Sequence, residues 1–302
     1  MYNPLISIVV VSYLSQDTIL ETLDSIKNQT YRNLEVIITD DNSSDDTLRI
    51  AKQWSLDNSG LFVNIEIVST KTNTGVSCNC NRGASVARGE WIKFIDADDL
   101  LLPNAIEDIV ACIEQNPQFD IIYSKVELFG DGDINRFSKL FNNHLFTLKG
   151  NQHKYKILTT NFITSASVTI NKQFFYEIGM FDENIPFMED WPFWIKCAMT
   201  HSSIGFYNHV TASYRVNIQS LSNGNKSVTY LQNERKLREY SQACQKEFSY
   251  LLYLLSYTIE KSKSNKFYKP LIYINPVFYY LKYLDFKARR NSLDSIFYEI
   301  NQ

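Results

Sequence analysis

Nothing in this chain marks it for a disulfide framework, a metal-thiolate site, a membrane span or a nucleic-acid partner, and those absences narrow what it does. Its five cysteines, Cys78, Cys80, Cys112, Cys197 and Cys244, are odd in number and lack paired C-x-x-C spacing. They read as reduced thiols, neither disulfide partners nor zinc ligands. The longest apolar stretches, such as Phe248 to Ile259, fall short of a span and are interrupted by Ser and Tyr. Met1 through Leu5 lead straight into a strand pattern, leaving no room for a basic segment and an apolar signal core, so a cytoplasmic protein without a transmembrane helix is expected. The net charge of -3 gives no reason to expect nucleic acid. No glycine-rich loop follows the first strand, where Ser12-Tyr13-Leu14-Ser15 stands instead, which disfavours a nucleotidyltransferase that must admit a triphosphate. Val11 occupies the strand end where an aspartyl-nucleophile phosphohydrolase needs its Asp.

What is present is the composition of a globular protein, with 44% hydrophobic and 21% charged residues over 302 positions. That length suits one large domain with an appended region. Aromatic residues are abundant, with 19 Tyr and 19 Phe, and their amphipathic rings serve saccharide or interfacial surfaces as well as cores.

The run Ile6-Ser7-Ile8-Val9-Val10-Val11 is nearly continuous and β-branched, the pattern of a strand covered on both faces. Thr18 to Asn28 follows with apolar residues on one helical face and Asp17 as the expected N-cap. Strands are expected at Leu34 to Thr39, Phe62 to Ser69 and Glu90 to Ile95, with helices at Asp46 to Leu56 and Cys78 to Arg88, the latter ending at Gly89. Such alternation implies a mostly parallel sheet of right-handed crossovers, whose ligands bind beyond the carboxyl ends of the strands. Further on, a helix from Pro103 to about Asn116, strands at Asp120 to Phe129 and Phe162 to Ile170, and a short helix from Asn171 to Ile178 are expected, with helical segments from Lys226 onward broken at Pro270 and Pro276. Gly130-Asp131-Gly132-Asp133 is a turn and not a calcium loop, because the later ligand positions and the terminal Glu are missing.

Asp96, Ala97, Asp98 and Asp99 directly follow the run Trp91-Ile92-Lys93-Phe94-Ile95, crowding three carboxylates onto a strand end. Two readings remain open for them. Mutually repelling anions are kept where a hard divalent cation offsets them, and Asp is also common in solvated turns and helix caps. Glu189 and Asp190, in Met188-Glu189-Asp190-Trp191-Pro192-Phe193-Trp194, form a second acidic pair where a loop becomes a helix. They read either as residues favoured by the helix dipole or as a base whose pKa is raised by Trp191, Phe193 and Trp194 around it.

Together these motifs and their order resemble glycosyltransferase family 2, inverting enzymes of the GT-A fold. The resemblance covers about residues 5 to 220 and rests on several short pieces in order: Ser7 to Tyr13, Gln29-Thr30-Tyr31, Leu34 to Thr47 with Asp40-Asp41-Asn42-Ser43-Ser44, Asn73 to Ser77, Asn81-Arg82-Gly83, Ala87 to Asp99 and Glu189-Asp190-Trp191. It implies an α/β, Rossmann-like central sheet in residues 1–222, with a nucleotide-sugar half at 1–100 and an acceptor half at 101–222, followed by a helical region at 223–302. It places the donor base and ribose against Ser12, Tyr13 and Asp41. It gives Asp98 and Asp99, supported by Asp96, the ribose and a Mg²⁺ or Mn²⁺ ion that bridges the donor diphosphate. It makes Asp190 the base, paired with Glu189, and sets Trp191 beside the acceptor. The donor expected is a UDP-sugar and the acceptor a growing saccharide.

The chain departs from the family pattern twice. An Ala-Arg-Asn sequence is replaced by Asn79-Cys80-Asn81, so that Arg82 or Lys71 is the candidate for the missing donor contact. A Tyr-Arg-x-His pattern has become Tyr214-Arg215-Val216-Asn217, in which Arg215 is the candidate for phosphate. Lys261 to Arg290 holds eight basic residues against Asp285, interleaved with aromatics. This reads as a peripheral surface for anionic lipid or as a solvated bundle. Resemblance to bacterial polysaccharide, O-antigen and capsule-assembly transferases fits the first reading, because their acceptors are often sugars on a polyprenyl diphosphate at the inner cytoplasmic leaflet. A non-catalytic saccharide-binding module is the competing class, and the presence of both Asp98-Asp99 and Asp190 argues against it.

Overall fold

The seven-residue run Ile6–Ser12 forms strand β1, buried at every position. In the computed structural model, which describes residues 2–134, 138, 150–185, 188–200, 202–217 and 228–248, β1 lies inside an eight-stranded sheet of order β3-β2-β1-β4-β7-β6-β8-β5. Strands β2 (Leu34–Asp40), β3 (Asn64–Ser69) and β4 (Trp91–Asp96) join β1 in parallel. Beyond β4 the sheet is mixed. Strand β7 (Val168–Asn171) runs antiparallel to both β4 and β6 (Ile121–Phe129), β8 (Ile204–Arg215) is parallel to β6, and the two-residue β5 (Leu100–Leu101) is antiparallel to β8.

Alternation along β1 divides the core between the two faces of the sheet, as the two-residue period of a strand requires. Val9 and Val11, with Ile37, Ile92 and Phe94, share one cluster with residues of α3 (Val76–Val86), α6 (Lys172–Glu177) and α7 (Asp190–Met199). Ile8 and Val10, with Val36, Ile38 and Ile95, share the other with α1 (Ile19–Lys27), α2 (Thr47–Asn58) and α4 (Ala105–Gln115). Helix α3 crosses β1 and β2 closely at Gly83, where any Cβ would stand 2.5 Å from Val9 Cγ1. Helices α5 (Gly150–Thr159) and α8 (Val228–Phe248) complete the described elements, and Leu237 and Cys244 of α8 enter the same cluster as α7.

Several boundaries differ from the sequence expectation. Helix α1 starts at Ile19 behind Thr18, not behind an Asp17 cap, and Thr18 caps no helix N–H through its side chain. Its hydroxyl donates instead to Ala97 O at 2.8 Å, bracing the acidic turn. Pro103 precedes Asn104, the N-cap of α4, and lies outside the first turn. The expected strand at Phe162 to Ile170 is a loop and a single 3₁₀ turn, Ser165–Ser167, ahead of a strand that begins at Val168. The region 249–302, including Lys261 to Arg290, Pro270 and Pro276, lies outside the described residues, as do Ser220 and Ser222.

Candidate active site

Register sets the carboxyl ends of the central strands level. Ser12 is opposite Asp40, and Val11 is opposite both Thr39 and Asp96. The sequence's polar clusters therefore converge at one edge, the edge where open α/β sheets bind ligands. The backbone leaves ordinary conformations there as well, with Leu14 at φ 51° and Asn42 at φ 68°. Strain of this kind is held where surrounding structure over-determines it, often at functional sites. Tyr13, just past the end of β1, is 49% exposed.

The acidic turn is built by partners from three elements. Asp99 N donates to Asp96 O at 3.1 Å, which closes the turn after β4. Thr22 of α1 donates its hydroxyl to Asp99 O at 2.8 Å. Arg215, at the end of β8, donates its backbone N–H to Asp99 Oδ1 and its Nε to Asp98 O, both at 2.7 Å. Its guanidinium also pairs with Glu21 and lies 4.3 Å from the centre of the Phe129 ring. Asn217 Nδ2 donates to Asp98 Oδ2 at 3.1 Å. One oxygen from each of Asp96, Asp98 and Asp99 falls within 4.8 Å of the others, while Asp99 Oδ2 is buried without a hydrogen-bond partner among the described residues.

Helix α7 brings the second acidic pair to the same place. Asp190 opens the helix behind Glu189, with Pro192 in the first turn. Asp190 Oδ1 accepts from Trp191 N at 2.6 Å and Oδ2 from Asn161 Nδ2 at 2.9 Å. Burial, then Asp98 and Asp190, push Asp96 up to about 7. Burial is also the main cause that raises Glu189 and Asp99 well above the carboxylate range, with neighbouring carboxylates adding to it. Asp190 is raised by burial and drawn back by its hydrogen bonds to Asn161 and Trp191. Asp98 is raised by burial against the opposing pull of Arg215. A divalent cation with oxygen preference suits such a set: hard donors, mutual repulsion, an unpaired buried oxygen and a single arginine whose charge is shared with Glu21.

The family model for glycosyl transferase family 2 matches residues 7–178, more than half of the chain. The chain belongs to this family. Its fold is the GT-A fold of that family. An uncharacterized glycosyltransferase of Haemophilus influenzae (strain Rd) is 29% identical over 220 residues, covering 70% of this chain and 66% of the relative, so the chain spans just under two thirds of that protein. Among solved structures, TarS of S. aureus in complex with UDP-GlcNAc has a similar fold, with TM-score 0.64 and 20% identity over 80% of this chain and 71% of that one. So does the mannosyltransferase PcManGT of Pyrobaculum calidifontis in complex with GDP-Man and Mn²⁺, with TM-score 0.57 and 17% identity over 97% of this chain and 88% of that one.

Within this family 2 chain the remaining expected residues fall in different places. Asp41 is 2% exposed and accepts from Thr74 N, Thr74 Oγ1, Gly75 N and Arg82 at 2.7 to 3.2 Å. Arg82 spends its guanidinium on Asp41, Thr74 and Asn79. Lys71 is exposed on the loop after β3. Cys80, which stands where the family pattern has Arg, is buried, and burial first, then Glu189, Asp96 and Asp190, push its thiol up. A neutral group thus stands where the family pattern has a cation. Trp191 is partly buried and its indole N–H donates to Ile157 O at 2.8 Å.

Two residues at the site escaped the sequence reading. Asn161 has no motif around it and gains its place by tertiary contact alone. Lys93 passed as part of an apolar run, yet its ammonium is buried, donates to Ala166 O and Val168 O, and is pushed down to about 7 by burial against the pull of Asp99. A charged residue inside a strand buried on both faces was the available signal.

Proposed function

We propose that this chain is an inverting, metal-dependent glycosyltransferase that moves a sugar from a nucleoside-diphosphate donor, UDP first, to a saccharide hydroxyl during cell-surface polysaccharide assembly. The observation that carries this reading is the meeting of Asp190 with the Asp96, Asp98 and Asp99 turn, two acidic sets far apart in sequence and next to each other in charge. Their division of labour follows from their surroundings. Asp98 and Asp99, with Asp96, would hold Mg²⁺ or Mn²⁺, and a bound ion would neutralise the charge that grows on the diphosphate as the glycosidic bond breaks. Asp190 takes the proton of the acceptor hydroxyl, so that the hydroxyl oxygen attacks the anomeric carbon from the face opposite the leaving diphosphate. A carboxylate raised by burial is the better base for that proton. Ser12, Tyr13 and the Asp41 turn form the wall for base and ribose, and Arg215 holds the acidic turn in shape.

TarS and PcManGT, with their UDP-GlcNAc and GDP-Man, support a nucleotide-sugar donor. The basic, aromatic segment from Lys261 to Arg290 supports an acceptor carried on a lipid at the inner face of the cytoplasmic membrane. No helix among the described residues is long and apolar enough to cross a membrane, so contact in this reading is peripheral.

The test is a thermal-unfolding screen of UDP- and GDP-sugars with Mn²⁺, followed by turnover of the donor that protects best. A ligand bound at a hundred times its Kd stabilises by about 2.7 kcal/mol, and this protection is expected to vanish with EDTA. Asp190→Asn is expected to keep the protection and abolish transfer. Wild-type turnover in that variant refutes the assignment of the base.

A further inference from the structure

We infer that Asn161 is the positioning residue of Asp190, holding the base at the angle from which it meets the acceptor, an assignment that rests on the reading of Asp190 as the base. Asn161 Nδ2 donates to Asp190 Oδ2 at 2.9 Å. With Oδ1 taken by Trp191 N, these two bonds fix the rotation of the carboxylate.

The segment that carries Asn161 is held to the same helix as its target. On α7, Trp191 donates its indole N–H to Ile157 O at 2.8 Å and Trp194 donates to Ile163 O at 3.2 Å, one bond on each side of Asn161. From α8, Ser241 and Gln245 both donate to Leu158 O. The helix that presents the base thus also grips the end of α5 and the loop after it, between which Asn161 lies. A reactive group whose own rotamer is locked by a supporting residue on rigid elements is the arrangement that accurate positioning needs.

A purely structural Asn would use both ends of its amide. Here Oδ1 is buried without a hydrogen-bond partner among the described residues, and an unmet buried acceptor costs stability. Leu has nearly the same shape and no unmet oxygen of its own. Removing the amide relieves that oxygen but leaves Asp190 Oδ2 without its donor, so the two effects on stability oppose each other while the loss of positioning at Asp190 has no offset.

Asn161→Leu and Asn161→His test this. The second keeps an N–H in nearly the same place through ring Nδ1. Turnover is read as nucleoside diphosphate released, with water as acceptor, from whichever of UDP-glucose, UDP-GlcNAc and GDP-mannose the wild type consumes fastest. Asn161→Leu is expected to lower kcat about a hundredfold, the size of a loss by misplacement, with donor KM and UDP affinity unchanged and Tm close to wild type. Asn161→His is expected to restore most of the rate. A Tm and UDP affinity that fall together with kcat would make Asn161 structural and overturn the proposal. So would wild-type kcat in Asn161→Leu while Asp190→Asn is inactive. An active Asp190→Asn would instead remove the base assignment and this inference with it.

Discussion

Asp41 shows how a single residue is legible by chemistry and illegible by task. The acidic pair after the second strand marks the sheet edge, and the resemblance gives Asp41 to the donor. In the structure its carboxylate is saturated by Thr74, Gly75 and Arg82, which ties down the residue that starts α3, Gly75 at φ 89°. No local pattern could announce partners more than thirty positions away. Asp41→Ala would leave two backbone N–H groups and a guanidinium without their acceptor. We expect a loss of about 3 kcal/mol in urea unfolding, the cost of orphaning charged and backbone hydrogen bonds in a mostly buried pair, together with weaker UDP binding. A variant as stable as wild type would show that the turn is held by something else. The same reasoning explains why the carboxylates were legible and Asn161 was not. Three Asp in four residues violate a composition expectation, whereas one Asn in a loop violates none.

At the scale of elements, strands with continuous β-branched runs were readable, and those built by tertiary context were not. Strand β8 has Asn208 and His209 exposed in its middle and pairs with β6 through register shifts near Lys125, so no alternation survives in its sequence. Helix α5 begins with the polar run Gly150-Asn151-Gln152-His153-Lys154 and shows little amphipathic contrast, although Tyr155, Ile157 and Leu158 are buried. His153 of this helix packs flat against Tyr123 of β6, with Nε2 2.9 Å from the tyrosine hydroxyl. Burial pushes it down to about 4. Between that value and the ordinary 6.5 of an unfolded chain, the unfolded state binds more protons, so stability is complete above about pH 6.5 and falls as pH drops toward 4. Two and a half pKa units correspond to roughly 3 kcal/mol. Gln does not titrate, so His153→Gln keeps a donor for Tyr123 and should lose about 3 kcal/mol less than wild type between pH 7 and pH 4 in urea unfolding. Parallel curves for the two proteins would show that the ring is solvated when folded.

For the molecule as a whole, charge distribution carries the remaining argument. The segment Lys261 to Arg290 has a net charge of +7, so the other 272 residues together carry -10. In the proposed reading, the basic, aromatic segment would engage an anionic membrane that the acidic remainder of the chain is repelled from. Each basic side chain near such a surface contributes about 1 kcal/mol, and interfacial Tyr and Phe add apolar burial. This orientation would turn a donor-binding enzyme toward a lipid-carried acceptor without any spanning helix. The full chain is therefore expected to float with liposomes that contain phosphatidylglycerol and to stay behind with phosphatidylcholine alone. Flotation should weaken as salt shortens the Debye length from about 10 Å at 0.1 M to about 3 Å at 1 M. Neutralising Lys261, Lys263, Lys266 and Lys269 removes four of the eight positive charges and should release most of the protein at 0.1 M salt, while UDP-dependent thermal protection stays unchanged. Equal flotation of that variant and wild type would remove the segment from membrane contact, and the acceptor would then have to reach Asp190 from solution.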